Sequence, residues 1–562
     1  MLFAAVLPVT LLALSQFTVA ASRCRRRPGD ADWPTNDEWD ALNGEVDNRL
    51  VAVLPSGKVC EHLNCTDAQW GSGVFRNDIP GQMLEYNWEQ DYTANPPSIC
   101  LRTSETCGQG NVPLYAINAT TPAHIQAGVN FASKHNLRVV IKASGHDYLG
   151  RSTARDALLL WTRYFETIEF TESFVVNGTD VGPAVTVGSG LGLKAIYAAA
   201  AARGKAFVGG TAATVVPGGG YSQGAGHSAL SPLYGLSADN VFQYQIVLAN
   251  GSLVTADDVS NPDLFWALRG GGAGSWGVIV SITLRVYPDL SATLHQANIA
   301  LNSSTQAGAV MAAHARHIFD YDDARAAQYA YLYNSPADGT SLLQLSTLFP
   351  NRTAEDATAM VQPFLDDAVE QGAIVVNATT VTASPNVIVA FPDDQGGYNS
   401  ILGSRLLPPA VYSDNATAVG EAYTTLLDQG ADSILCHLVA GGKVAENANI
   451  DSAVTPKWRT AKTHVIVTYH WDDSATLDEV EAFKQKLTTQ SVPVLSALSG
   501  EADPGSYSNE ADVREPNWKT TFYGTNYARL EAVKAAYDPE DLFIVATGVG
   551  SDRWDAQGMC RV

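Results

Sequence analysis

The sequence predicts an α+β fold, on three observations. From Pro113 a strand (114–117), a helix opened by Thr121-Pro122 (123–135) and a second strand (138–141) follow in β-α-β order. The run VFQYQIVLANGSLVTAD then alternates about Asn250-Gly251, a dipeptide that supplies the positive φ of a tight hairpin. A helix at 262–269, a glycine turn at 270–274 and a strand at 277–286 complete the block.

Between the first strands and the hairpin lie a strand at 184–187, a helix at 193–202 and the glycine-dense stretch GGTAATVVPGGGYSQGAGHS at 209–228. Helices at 304–319 and 354–370 and a strand at 465–470 belong to a second block. A final helix at 527–537 is stopped by Asp538-Pro539. The texture therefore divides the chain into an irregular, Cys-rich arm (22–108), a first domain (109–290), a second domain (291–510) and a C-terminal segment (511–562). At 562 residues the chain is too long for one ordinary core, so several domains are expected.

A net charge of -23 disfavours nucleic acid and anionic membrane as partners, since both recruit basic surfaces. Residues 1–21 form an apolar run that ends in small residues, as a secretory signal peptide does, and the expected location is extracellular. Asn-X-Ser/Thr sequons at Asn64, Asn118, Asn177, Asn250, Asn302, Asn351, Asn377 and Asn415 fit export and mark the expected N-glycans. Of seven cysteines, Cys24, Cys60, Cys65, Cys100 and Cys107 cluster early and only Cys436 and Cys560 lie downstream. They are read as disulfides with one cysteine left over; the pairing is open. No CxxC pair or zinc-ligand spacing occurs, and no metal is expected.

Three motifs invite quick labels. Gly272 to Gly277 matches G-x-G-x-x-G, but it follows a helix and precedes a strand, the reverse of the dinucleotide-binding order. Gly220-Tyr221-Ser222-Gln223-Gly224 matches the nucleophile elbow of hydrolases, yet Pro217 and three glycines precede Ser222 where a strand is needed. The stretch is read instead as a loop whose backbone lies close against a flat or anionic ligand. His314 and His317, three apart on one helix, lack partner ligands and are read as a solvated face. His437, His464 and His470, taken singly, are read as structural.

The segments VVIKASGHDYLGRS, VVPGGGYSQGAGHSALSPLYGLSADNV, DLFWALRGGGAGSWGVIVSITLRVYP and FYGTNYARLEAVKAAYDPEDLF occur in that order. Together they resemble the signature segments of the vanillyl-alcohol-oxidase-type (PCMH-type) FAD-linked oxidases, in the berberine-bridge-enzyme-like branch with the secreted fungal isoamyl-alcohol-oxidase-like proteins. The resemblance implies a two-subdomain FAD-binding domain and an α/β substrate domain whose antiparallel sheet covers the flavin. It also implies one covalent flavin bond, through His146 to the 8α-methyl group.

A neutral imidazole fixed on a Gly-flanked turn suits that bond. The resemblance places FAD contacts on Lys142, Ala143, Ser144, Gly145, Asp147, Gly150 and Ser152 around this turn. Further contacts are implied at Thr214, Val215, Gly219, Gly220, Ser222, Gly226, His227 and Asp239, at Gly277, Val278 and Ile279, and at Asn526 and Tyr527.

Two departures from the family pattern matter. Ala212 stands where many relatives carry a second flavin-linking cysteine, so the linkage is expected to be single. Phe522 stands where carbohydrate oxidases carry a tyrosine base, which leaves Tyr523, Tyr469 and His470 as candidates. The implied reaction is oxidation of an alcohol or secondary metabolite, with hydride passing to FAD and dioxygen reduced to hydrogen peroxide. A dehydrogenase, a ring-closing biosynthetic oxidase and a non-catalytic ligand-binding homologue remain alternatives.

Overall fold

The computed structural model describes residues 24–103, 106–335, 337–388 and 394–562. The signal sequence read at 1–21 lies outside the described residues. Three sheets organise the chain.

The first contains β1 (Leu50–Ala52), β2 (Tyr115–Asn118), β3 (Arg138–Lys142) and β4 (Ala157–Trp161), in the order β1-β2-β4-β3. β2, β4 and β3 are parallel, and β4 (ALLLW) is buried along its whole length, as a continuously apolar central strand should be. The crossover helix Pro122–Lys134 starts with proline, whose missing N–H costs nothing at a helix start. It lies tight on the sheet: a Cβ on Gly128 would come within 2.6 Å of Ile117 and Leu160.

The second sheet runs β5 (Ile168–Val176), β6 (Thr179–Gly188), β10 (Val278–Pro288), β8 (Val241–Val247), β9 (Leu253–Ala256), and β7 (Lys205–Phe207) also pairs with β10. The β8-β9 hairpin turns at Asn250-Gly251 as expected, with Gly251 at φ +78°.

The third sheet is antiparallel throughout. Its members are β11 (Ala292–Leu301), β12 (Ala327–Ser335), β13 (Thr340–Pro350), β14 (Ile374–Ala383), β15 (Asn399–Leu407), β16 (Ser433–Leu438) and β17 (Thr463–Trp471). Their order is β14-β11-β13-β12-β16-β17-β15. One face packs on helices Ser304–His317, Ala354–Glu370 and Ala416–Asp428 through Ile299, Leu332, Val465 and Val467. Residues one step along the strands point the other way, by the period of two. Tyr329 and Leu406 accordingly join the core built from β6, β8 and β10.

The C-terminal segment returns to the first domain. Lys534 is fully buried, pairs with Asp538 and donates to the carbonyls of Ser275 and Phe543. A disulfide joins Cys24 to Cys560, and two local ones join Cys60–Cys65 and Cys100–Cys107. Cys436 is the free thiol; burial pushes its pKa up to about 11.

The arm is more regular than its texture suggested. It forms helices Asn36–Glu45, Ser56–Leu63, Asp67–Trp70 and Gly73–Asn77, and its strand β1 pairs with β2. Capping boxes at Thr35/Glu38 and Thr66/Gln69 satisfy the open N–H groups of two of these short helices. His314 corrects another expectation. It is buried, bonded to Gln328 Oε1 at 2.5 Å, and burial lowers its pKa to about 4.

Candidate active site

A cleft opens between the ends of the first two sheets, where three turns converge. They are the Lys142–Ser152 turn after β3, the Gly218–Gly220 turn and the Ala273–Gly277 turn before β10. A Cβ on Gly219 would stand 3.2 Å from Ala143 Cβ, and one on Gly220 would stand 3.6 Å from Ala273 Cβ. Side chains at the two glycines would fill the space between the turns, so the backbone itself lines the cleft.

Arg151 adds a cation, bonded to Asn509 Oδ1 at 3.0 Å, and Gln223 Oε1 is a buried acceptor with no partner. A backbone-lined slot with one guanidinium and an orphaned amide oxygen fits a cofactor carrying both a pyrophosphate and a flat hydrogen-bonding ring. FAD has both.

His146 stands in the cleft wall. Its Nε2 lies 2.7 Å from Thr214 Oγ1 and 3.3 Å from Asp394 Oδ2. Asp394 also accepts from Thr214 Oγ1 at 2.6 Å and from the amides of Ala213 and Thr214 at 2.8 and 2.7 Å. Burial alone would raise the Asp394 pKa, but bonds from His146, Thr214 and these amides outweigh it and bring it to about 2. Nδ1 of His146 makes no hydrogen bond among the described residues.

Of the residues expected around FAD, Ala143, His146, Asp147, Ser152, Gly219, Gly220, Gly277 and Ile279 line this cleft. Ile141, Thr162, Gly218, Gln223, Ala273 and Gly274 line it as well and were not singled out. Asp147 accepts from the amides of Leu149 and Ser152, which shapes the turn. Ser144 caps the amide of His146, and Gly145 and Gly150 adopt φ of +91° and +72°. Thr214 touches His146 through its hydroxyl, with Val215 beside it packed against the core.

Others are placed elsewhere. Lys142 points into the arm, donating to the carbonyls of Ile79, Pro80 and Gln82, and burial lowers its pKa to about 7. Asp239 is held by Arg459 at 2.7 and 2.8 Å and joins the two domains. Ser222 is fully buried on Ser237 Oγ, and Gly226 packs on Ser237. Ser222 follows a glycine turn rather than a strand, so no elbow exists. Val278 is a core residue of the first sheet region; Asn526 bonds Val454 O, and Tyr527 lies near Asp552.

The three candidate bases are not brought together. Tyr469 alternates to the helix-covered face of β17 and bonds Ser491 Oγ at 2.8 Å. His470 is exposed and lies 3.7 Å from Asp432. Tyr523 is buried against Thr547 O at 3.0 Å, and burial lifts its phenol to about 12.

A different group faces the first domain instead. His227 of the glycine loop, His437 of β16, His464 of β17 and Glu510 present ligand-type atoms within 4.8 Å of one another. Burial holds the pKa of His437 and of His464 well below the ordinary imidazole value. Burial also raises the phenols of Tyr148, Tyr329, Tyr331 and Tyr507, and the charge of Glu510 adds to it in all four. Glu510 is thus the carboxylate of a cluster of histidine and tyrosine rings packed where the glycine loop meets the third sheet. Each histidine sits on a separate element, so no spacing in the sequence announces the group.

Comparison with known proteins agrees with this geometry. Residues 113–257 match the FAD binding domain model, and residues 506–550 match the model for berberine and berberine-like proteins. An FAD-linked oxidoreductase of Arthroderma benhamiae is 37% identical over 571 residues, covering 96% of each chain. The FAD-linked oxidoreductase patO of Aspergillus clavatus is 34% identical, covering 97% of this chain and 96% of that one. The crystal structure of the VAO-type flavoprotein MtVAO615 from Myceliophthora thermophila C1 superposes with a TM-score of 0.85 at 31% identity, covering 96% of this chain and all of that one. The cleft, the order of its turns and these full-length similarities place the chain in the VAO-type FAD-linked oxidoreductases, in their berberine-bridge-enzyme-like branch.

Proposed function

We propose that this oxidoreductase is a secreted, N-glycosylated oxidase that carries its FAD on His146 and oxidises a hydroxyl-bearing small molecule, an alcohol or a secondary metabolite, with dioxygen as acceptor. The observation that carries the reading is the anchorage of His146. Thr214 and Asp394 hold Nε2, which leaves Nδ1 as the ring atom open to bond formation. A carboxylate behind an imidazole fixes its tautomer and makes the opposite nitrogen more nucleophilic. Ala212 offers no thiol beside it, so one bond is the expected count.

Bound FAD supplies the two-electron acceptor. The chain's own residues supply the rest. Glu510, with its side chain 20% exposed, takes the proton of the substrate hydroxyl. His227, 3.3 Å from both of its oxygens, orients it. The rings of Tyr329, Tyr331 and Tyr507, packed on these histidines, and that of Tyr148 suit a flat or apolar substrate.

Peptide mass mapping with a peroxide-release screen over alcohols and secondary metabolites tests the proposal. The expected result is flavin on the peptide containing His146 and peroxide released in step with product. Flavin on another peptide would remove the anchorage, and reduction without peroxide would make the protein a dehydrogenase.

A further inference from the structure

His227, His437, His464 and Glu510 come from a loop of the first domain, from two neighbouring strands of the third sheet and from the end of the second domain. All three imidazoles are buried. Both ring nitrogens of His437 and both of His464 lack a hydrogen-bond partner. Burying an unpaired imidazole nitrogen costs free energy comparable to a lost hydrogen bond, and here the cost falls on two adjacent rings. Leu435 and Ile466, the next residues along the same face, are apolar.

The positions are also mutually arranged. Glu510 lies 3.3 Å from His227 Nε2 and 3.4 Å from His464 Nδ1. The His227–His437 and His437–His464 ring centroids are 5.3 and 6.0 Å apart. Tetrahedral zinc with bonds of about 2.0–2.1 Å needs ligand atoms about 3.4 Å apart, so two edges already match, and the wider ones, all within 4.8 Å, would shorten on binding. The surroundings of His227 fit too: its Nδ1 lies 3.3 Å from the Tyr329 hydroxyl, the kind of outer partner that a metal-bound histidine uses, while Nε2 lies within the cluster.

We propose that His227, His437, His464 and Glu510 form a site for a divalent transition metal, zinc by its three-nitrogen, one-oxygen donor set. Imidazole and carboxylate without thiolate suit Zn2+ or a neighbouring first-row ion and not Ca2+ or Mg2+, which take oxygen. The metal gives one orphaned nitrogen of each of these two rings a partner and joins the glycine loop, the third sheet and the end of the second domain at one point. On the oxidase reading, Glu510 is the ligand that yields to a substrate oxygen and takes its proton. The metal binding itself stands independently of that reading.

The experiment uses the flavin-loaded, full-length protein, stripped with a chelator and titrated with Co2+ and Zn2+ in the absence of substrate. The expected results are Zn2+ bound equimolar with flavin and, with Co2+, the visible d–d absorption of a tetrahedral site at wavelengths longer than the flavin bands. His437→Gln and His464→Gln should each lower bound metal by more than about tenfold at unchanged flavin content. A wild-type protein that shows no cobalt band and retains no zinc overturns the proposal, and so does metal content that is the same in both variants. The cobalt band is read in the wild type, so misfolding of a variant leaves the test decisive. Metal binding in a protein that releases no peroxide would refute the oxidase reading and keep the site.

Discussion

His437 and His464 stand directly opposite each other in the register of β16 and β17, and Tyr329 of β12 stands opposite His437 on the other side. The three side chains form one row across three strands, facing the glycine loop that carries His227. Two histidines side by side on a buried face are costly unless something uses them. That row, closed by Glu510, is where we place the proton transfer and the metal site proposed above.

Glu510→Gln should therefore leave FAD bound and slow flavin reduction by substrate by roughly 10²–10⁴-fold, the usual worth of a positioned proton acceptor. Anaerobic stopped-flow at the flavin absorbance reads it. A variant that reduces at the wild-type rate would move the acceptor elsewhere. Tyr469→Phe serves as the contrast: its hydroxyl is bonded to Ser491 on the far face of β17, so reduction should change little.

His314 provides a stability prediction with a definite sign. Its folded pKa is about 4 against an ordinary 6.5, so between those values the unfolded chain binds the extra proton. Stability then rises with pH across this window and is lost as pH falls from about 6.5 towards 4, by up to about 1.4 kcal/mol per pH unit for this group. Urea midpoints measured at intervals over that range should slope downward towards acid. His314→Gln should flatten the slope; an unchanged slope would assign it to other groups.

The first domain was legible because its signals are local. Proline at a helix start, Asn-Gly at a hairpin and the apolar run in β3 each act within a few residues, whereas the strand β4 was not read. The turn after β3 was legible for the same reason, since Gly145 to Ser152 shape it through their own backbone bonds. The histidine cluster was not. His437 and His464 gain meaning only from strand register, and Asp394 reaches His146 from far along the chain. Tyr469 misled because period two in a strand tells which residues share a face and not which face is covered. The arm was underestimated although its Thr-x-x-Glu and Thr-x-x-Gln boxes were present, because short helices with caps carry little periodicity.

The sequons differ in their reach. Asn64, Asn177, Asn250, Asn302, Asn351, Asn377 and Asn415 are exposed, whereas Asn118 is half-buried at the end of the parallel strand β2 with its Oδ1 covered. In protein secreted from a eukaryotic host, glycopeptide mapping should find sugar at exposed sites and Asn118 bare. A fully occupied Asn118 would require modification before β2 folds.

The anchorage of the flavin gives the most discriminating variant, Asp394→Asn. The carboxylate is held at a pKa of about 2 by His146, Thr214 and two amides, against the opposing effect of burial. It therefore stays ionised through any working pH and keeps the Nε2 proton of His146 directed at itself, which leaves Nδ1 to bond carbon. An amide of the same size keeps the shape and loses the charge, so covalent attachment should slow by roughly a hundredfold or more, by analogy with the loss of an orienting carboxylate behind a reacting histidine. FAD should still bind, because the glycine turns and Arg151 are untouched. The measurement is flavin fluorescence on the denatured polypeptide against total flavin released by acid. Thr214→Val, which removes one hydrogen bond and no charge, should have a smaller effect. Equal covalent flavin in Asp394→Asn and wild type would detach this carboxylate from the chemistry of His146.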